Sequence, residues 1–192
     1  MVFLAYANMT YHAGNAVIDP EMLLAKSGLR ASMHVADFGT GRTGHMIFPA
    51  ARIVGSKGVL YAVDLDKDVL EAIGRRGRQD AVNNLYPVWG DIQVKNGVLI
   101  PPQTLDVVFM VNILWRCQKP FAPLAEAMRL LRPKGRIVIV DWVRTITAIG
   151  PNPEQMLDFG ALIVEARRVG LAVQEDFAIN EYHRSLILYR HE

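Results

Sequence analysis

From Met33 onward, short unbroken apolar runs alternate with longer segments whose apolar residues recur at helical spacing. Strands of a parallel sheet are covered on both faces and read as continuous Val/Ile/Leu runs, so this rhythm predicts an α/β fold with a mainly parallel sheet. Strands are expected over residues 33–38, 59–63, 86–89, 107–111 and 136–140, the last entered through Pro133-Lys134-Gly135. Helices are expected over 46–54, closed by Gly55 to Gly58, over 67–76, and over 123–131. Asp66 is a suitable N-cap for the second of these, with Asp68 in its first turn. The rhythm changes after Gly150-Pro151-Asn152-Pro153. A helix over 154–169 is expected to end at Gly170, followed by two strands, 172–179 and 185–189, that can form an antiparallel hairpin.

The chain has 192 residues, the size of one domain, with no repeat, low-complexity tract or linker to divide it. Hydrophobic residues at 51% and charged residues at 21% exclude a disordered or charge-driven chain. A formal charge of +2 gives no long-range attraction for nucleic acid or an anionic membrane. The basic run Arg75-Arg76-Gly77-Arg78 reads first as cations at the C-terminus of a helix, and second as a phosphate contact. Cys117 is the only cysteine, which leaves no intrachain disulfide and no thiolate zinc site; no metal is expected. That usage fits a reducing compartment, and a cytoplasmic location is expected. The opening Met-Val-Phe-Leu-Ala-Tyr-Ala mimics a cleavage site but lacks a basic lead, and no run reaches the ~18 residues a membrane span needs.

Candidate chemistry begins at Asp37-Phe38-Gly39-Thr40-Gly41-Arg42-Thr43-Gly44, a G-x-G-x-x-G placed between an expected strand and an expected helix. Glycines there let the backbone turn tightly and approach a ligand, while the helix start offers N–H groups and a positive dipole end. Asp64 closes the second strand twenty positions after Gly44, where a carboxylate can accept from both hydroxyls of a ribose. Asp37 then chooses among nucleosides. A pyrophosphate would be repelled by it, whereas an amino-acid moiety with an ammonium and a sulfonium would be attracted, which favours S-adenosylmethionine. Gly90-Asp91 ends the third strand with a carboxylate placed to accept from an adenine amino group.

From about Pro20 to the C-terminus the sequence resembles the class I S-adenosylmethionine-dependent methyltransferases. The resemblance rests on Val35 to Gly41, Val59 to Asp64, Gly90-Asp91, Leu105 to Phe109 and Leu130 to Arg136. It implies a Rossmann-like doubly wound sheet of seven strands, mostly parallel with an antiparallel last strand, in a three-layer α/β/α sandwich. It also implies that Gly39, Thr40 and Gly41 face the methionine part beside Asp37, that Asp64 and Leu65 hold the ribose, that Asp91 and Ile92 hold the adenine, and that Asn112 lies beside the methyl donor. Small ubiquinone/menaquinone-biosynthesis-like and "type 11" members are the most similar, which implies a small-molecule acceptor. In them the segment before the first motif, here residues 1–30 with Tyr11 and His12, forms a lid. Where those members carry a carboxylate or aromatic followed by His after the fourth strand, this chain has Asn112-Ile113-Leu114-Trp115-Arg116-Cys117.

Methyl transfer needs alignment of nucleophile and methyl in a dry site, with a base only where the nucleophile carries a proton of high pKa. His12 and His183 are the candidate bases, His183 being read as a surface residue of the hairpin turn. Trp115 and Trp142, with Tyr11, are candidate walls for the acceptor, and Asp141 stands at the same sheet edge. Cys117 lacks a His neighbour and reads as a small buried hydrophobe. RNA or protein as the acceptor, a homodimer, a non-catalytic subunit that keeps the cofactor pocket, and a nicotinamide-dependent oxidoreductase stay open at this point.

Overall fold

The computed structural model describes residues 18–145 and 150–192. In chain order the elements are α1 (Pro20–Lys26), β1 (His34–Phe38), α2 (Ile47–Val54), β2 (Val59–Asp64), α3 (Lys67–Gln79), β3 (Leu85–Trp89), β4 (Leu105–Val111), α4 (Ala122–Leu130), β5 (Leu131–Trp142), α5 (Phe159–Arg168), β6 (Leu171–Ala178) and β7 (His183–Arg190). The seven strands form one sheet in the order β3-β2-β1-β4-β5-β7-β6. Every neighbouring pair is parallel except β5 with β7 and β6 with β7, so β7 alone runs against the rest. The sheet is therefore the expected one.

Side chains alternate between the two faces along each strand. Val35, Val107, Phe109, Val138, Val140 and Ile187 lie in one apolar cluster with Leu23, Leu24, Ile47, Val69 and Ile73 from α1, α2 and α3. Ala36, Phe38, Val108, Met110, Ile137 and Ile139 lie in the other, with Leu124, Leu130 and Leu162 from α4 and α5. Both faces are covered, which is why the strands read as unbroken apolar runs. Strand order reverses direction between β1 and β4, and in such sheets the crevice beyond the strand C-termini at that switch is where ligands bind.

Local chemistry explains the element ends. Asp66 caps α3, its carboxylate accepting from Asp68 N at 2.8 Å and Val69 N at 3.4 Å. Arg76 stacks over the Phe48 ring at 4.0 Å and donates to Thr43 O at 2.6 Å, so one cation of the basic run ties α3 to the glycine turn. Two expectations need correction. The helix expected over 154–169 is a 3-10 turn at Pro153–Gln155 followed by α5, because Asp158 accepts from Ala161 N at 3.0 Å and starts a new helix. β5 begins five residues earlier than expected, and Lys134, at φ +66°, lies in an irregularity of its register with β4.

Candidate functional site

The C-terminal ends of β1, β2, β3 and β4 bring Asp37, Asp64, Asp91 and Asn112 to the crevice edge. After β1 the chain turns back through Gly39 and Gly41, at φ +74° and +61°, a region open to glycine at no steric cost. Gly39 and Thr40 donate to Val63 O at 2.8 and 3.1 Å, which pins the turn to the end of β2. A Cβ on Gly39 would come within 2.6 Å of Ile113 Cδ1, whereas one on Gly41 would meet nothing within 4 Å. The backbone is thus packed at one glycine and open at the other.

Asp64 is held by the same turn: Oδ2 accepts from Gly41 N at 3.1 Å and Oδ1 from Asp66 N at 3.0 Å. Each carboxylate oxygen keeps lone-pair capacity for a further donor. A cavity of about 150 Å³ opens beside it, lined by Gly39, Asp64, Leu65, Ile92, Ile113 and Cys117. Gly90, Gln93 and Arg116 complete the lining, and largely apolar walls with one fixed carboxylate suit a planar base carried on a sugar diol. Asp91 lies between the lining residues Gly90 and Ile92 without lining the cavity itself, its Oδ1 accepting from Gln93 N at 2.9 Å. A wider groove of about 560 Å³ between α2 and α3, lined by Arg52, Arg76 and Asn84, lies away from these strand ends.

Residues 29–172, most of the chain, match the methyltransferase-domain family. The chain belongs to that family. The ubiquinone/menaquinone biosynthesis C-methyltransferase UbiE of Hahella chejuensis is 28% identical over 142 residues, 71% of this chain and 54% of that protein. The chain thus spans about half the length of the curated relatives it matches. Among solved structures, a SAM-dependent methyltransferase from Aquifex aeolicus superposes with a TM-score of 0.82 at 22% identity, over 96% of both chains. The [4+2]-cyclase SpnF superposes with a TM-score of 0.75 at 10% identity, over 90% of this chain and 79% of that one. These two likenesses carry the fold alone. Family membership sets aside the oxidoreductase reading, and S-adenosylmethionine is the cofactor of the class I methyltransferases to which the chain is related.

In this family member Asp37 is almost fully buried, and its Oδ2 accepts from Thr40 Oγ1 at 2.9 Å. Burial pushes its carboxyl up to about 7 against the lowering effect of that hydroxyl, with the Asp64 charge adding to the rise. The folded state therefore holds this proton up to about pH 7, while the unfolded chain releases it near 4. Between those values rising pH costs stability, and above 7 the cost stays constant. Asp37→Asn, which keeps an acceptor for Thr40, is expected to gain on the parent protein by roughly 3–4 kcal/mol as pH rises from 4 to 7. Urea midpoints of both proteins at pH 5 and 8 check this; a difference that does not change with pH contradicts it.

Asn112 takes φ +55° at the end of β4 and donates its N–H to Val140 O at 2.8 Å, which turns the chain so that Ile113 walls the cavity. The wall is then anchored by Asp141 on β5, whose carboxylate accepts from Trp115 N at 3.2 Å and from Trp142 N at 2.9 Å. Burial lifts the Asp141 carboxyl to about 7 despite these donors. Cys117 sits in the same wall, and burial pushes its thiol up to about 12, so no thiolate forms near neutral pH. Trp115 lines a second cavity of about 460 Å³ with Phe121, Gln155 and Met156. Trp142 is enclosed, its ring 4.1 Å from that of His183.

His183 corrects an expectation: it opens β7 and is fully buried, because its register with Trp142 carries it under the sheet edge rather than into the turn. Tyr11 and His12 lie outside the described residues. Ile113, Gln93, Arg116 and Cys117 line the first cavity without having been singled out for it. Glu126 was also missed. It is buried on α4 and accepts from Asn96 N at 2.9 Å and Val98 N at 3.1 Å, holding the segment that follows Asp91. Its only sequence signal is Glu126-x-x-Arg129 within an apolar helix.

Proposed function

We propose that this chain moves the methyl group of S-adenosylmethionine to a small-molecule acceptor. The observation that carries the reading is the fixed Asp64 carboxylate beside the open space at Gly41 and an apolar cavity, a donor and acceptor set that fits a nucleoside. In this reading Gly39, Thr40 and Gly41 carry the methionine part, Asp64 and Leu65 hold the ribose, and Asp91 and Ile92 hold the adenine. Asn112 stands beside the transferred methyl. When bound, the cofactor supplies an electrophilic methyl on a sulfonium. The protein excludes water and aligns the nucleophile, which is most of what such a displacement asks of it.

Asp37 has a specific part. A cationic ammonium and sulfonium beside this buried carboxyl favour its ionised form, so binding at pH 7 is expected to release part of a proton. Calorimetry with S-adenosylmethionine in two buffers of different ionisation heat reads that proton, and Asp37→Asn abolishes the release.

The small-molecule preference is supported by the net charge of +2, which offers no reach toward a polyanion, and by the likeness to UbiE. Among the described residues no helix is long and apolar enough to cross a membrane. Incubation of a cell extract with the protein and methyl-labelled S-adenosylmethionine is expected to place label in the small-molecule fraction. Label in RNA or protein instead overturns the acceptor class. Cofactor binding with no label in any fraction favours a subunit that needs a second protein for turnover.

A further inference from the structure

Two buried polar atoms on β7 have no hydrogen-bond partner among the described residues: His183 Nε2 and Ser185 Oγ. Both residues are fully covered. They sit two positions apart on one face of the strand, directly opposite Trp142 and Val140 of β5 in the register. Because β7 runs antiparallel, it begins at the edge where the parallel strands end, the edge that also carries Asn112 and Asp141. Native proteins rarely leave such groups unpaired, so two of them on one face need a water or a ligand group to complete them.

The hydrogen bonds around the ring fix its chemistry. Asn180 Oδ1 accepts from the backbone N–H of Tyr182 and of His183, both at 2.9 Å, which identifies that atom as the oxygen. The same oxygen lies 3.3 Å from His183 Nδ1, so Nδ1 carries the hydrogen and donates. Nε2 is then a bare lone pair. The Trp142 ring, 4.1 Å away and tilted by 44°, holds the imidazole plane in place. Desolvation lowers the pKa of this histidine to about 4, consistent with a neutral ring. Ser185 Oγ can both donate and accept.

We propose that His183 Nε2 and Ser185 Oγ form the polar end of the acceptor site and recognise an O–H or N–H group of the acceptor, received by the Nε2 lone pair. This rests on the methyl-transfer reading above and narrows its substrate class to molecules that carry such a donor. A single trapped water bridging the two atoms is the competing account.

The test uses protein labelled with ¹⁵N at histidine, with and without S-adenosylhomocysteine, and two probes of similar shape: phenol, which has one O–H donor, and toluene, which has none. The free protein is expected to show His183 protonated at Nδ1 and unprotonated at Nε2. Phenol is expected to move the Nε2 resonance and toluene to leave it. Ser185→Ala and His183→Phe are each expected to weaken phenol binding about tenfold, the worth of one net hydrogen bond. Their affinity for S-adenosylhomocysteine is expected to stay within about twofold of the parent protein. A proton on Nε2, an equal response to both probes, or a long-lived water with no response to phenol overturns the proposal. Calorimetry of S-adenosylhomocysteine on the same samples separates the two readings: binding there with no phenol response sinks this inference alone, and no binding sinks the cofactor reading.

Discussion

Replacing Glu126 by alanine is expected to cost about 3–5 kcal/mol of unfolding free energy, because it breaks a buried ion pair from one side. Arg129 donates to both Glu126 oxygens, Nη2 at 2.6 Å and Nε at 2.9 Å, and also to Val98 O at 3.0 Å and Ile100 O at 3.2 Å. Removing the carboxylate strands that guanidinium among carbonyls and leaves the N–H groups of Asn96 and Val98 without an acceptor. Burial pulls the Glu126 pKa upward, but the hydrogen bonds from Arg129, Val98 and Asn96 outweigh it and hold the carboxyl below its ordinary range. Its contribution is therefore present at neutral pH and is lost as pH falls into the carboxylate range. A melting temperature lower by about 10 °C at pH 7 is the expected reading for a chain of this size, and a fall under about 2 °C contradicts the account. The bridge between Gly90 and Val98 connects this anchor to Asp91, so nucleoside affinity is expected to fall with it.

Gly39→Ala is the second large effect. The residue sits at φ +74°, which costs a side chain about 1–2 kcal/mol, and the new methyl would lie 2.6 Å from both Ile113 Cδ1 and Cγ1. Overpacking adds about 1–3 kcal/mol, and the displaced Ile113 would intrude on the cavity it walls. Stability and S-adenosylhomocysteine affinity are both expected to fall, the latter at least about tenfold, or about 1.4 kcal/mol. Gly41→Ala isolates the two causes: it carries the same backbone strain at φ +61° without any overlap. Adding Ile113→Ala to Gly39→Ala is expected to restore part of the affinity by removing the overlap. Equal losses of stability in the two single variants would show that the contact with Ile113 has no part in it.

The strand ends and the glycine turn were legible because each depends on local pattern: an apolar run closed by Asp, followed after β1 by glycines that take positive φ. Asp37, Gly39, Asp64 and Asp91 are singled out this way, and the structure brings the ends of their strands to one edge of the sheet, where Gly39 and Asp64 line a cavity. What the sequence hid depends on partners distant along the chain. Glu126 reads as an ordinary helix residue until the loop 30 positions earlier folds against it. His183 lies close to a turn, and only its pairing with Trp142 across two strands buries it. Asp158 was passed over as the start of α5 because Pro153 and Glu154 gave an earlier start signal, which the structure uses for a 3-10 turn instead. The edge of β5 was likewise obscured by Pro133-Lys134-Gly135, which signals a turn and is accommodated as an irregularity within the strand.

The most direct test of the account is titration calorimetry of the purified protein with S-adenosylhomocysteine, repeated with Asp64→Ala and with a nicotinamide dinucleotide as control. One-site binding is expected, weakened by about 1–3 kcal/mol in Asp64→Ala through loss of charge-assisted hydrogen bonds, with no heat from the dinucleotide. A folded Asp64→Ala protein that binds S-adenosylhomocysteine as tightly as the parent, or a parent protein that does not bind it, contradicts the account.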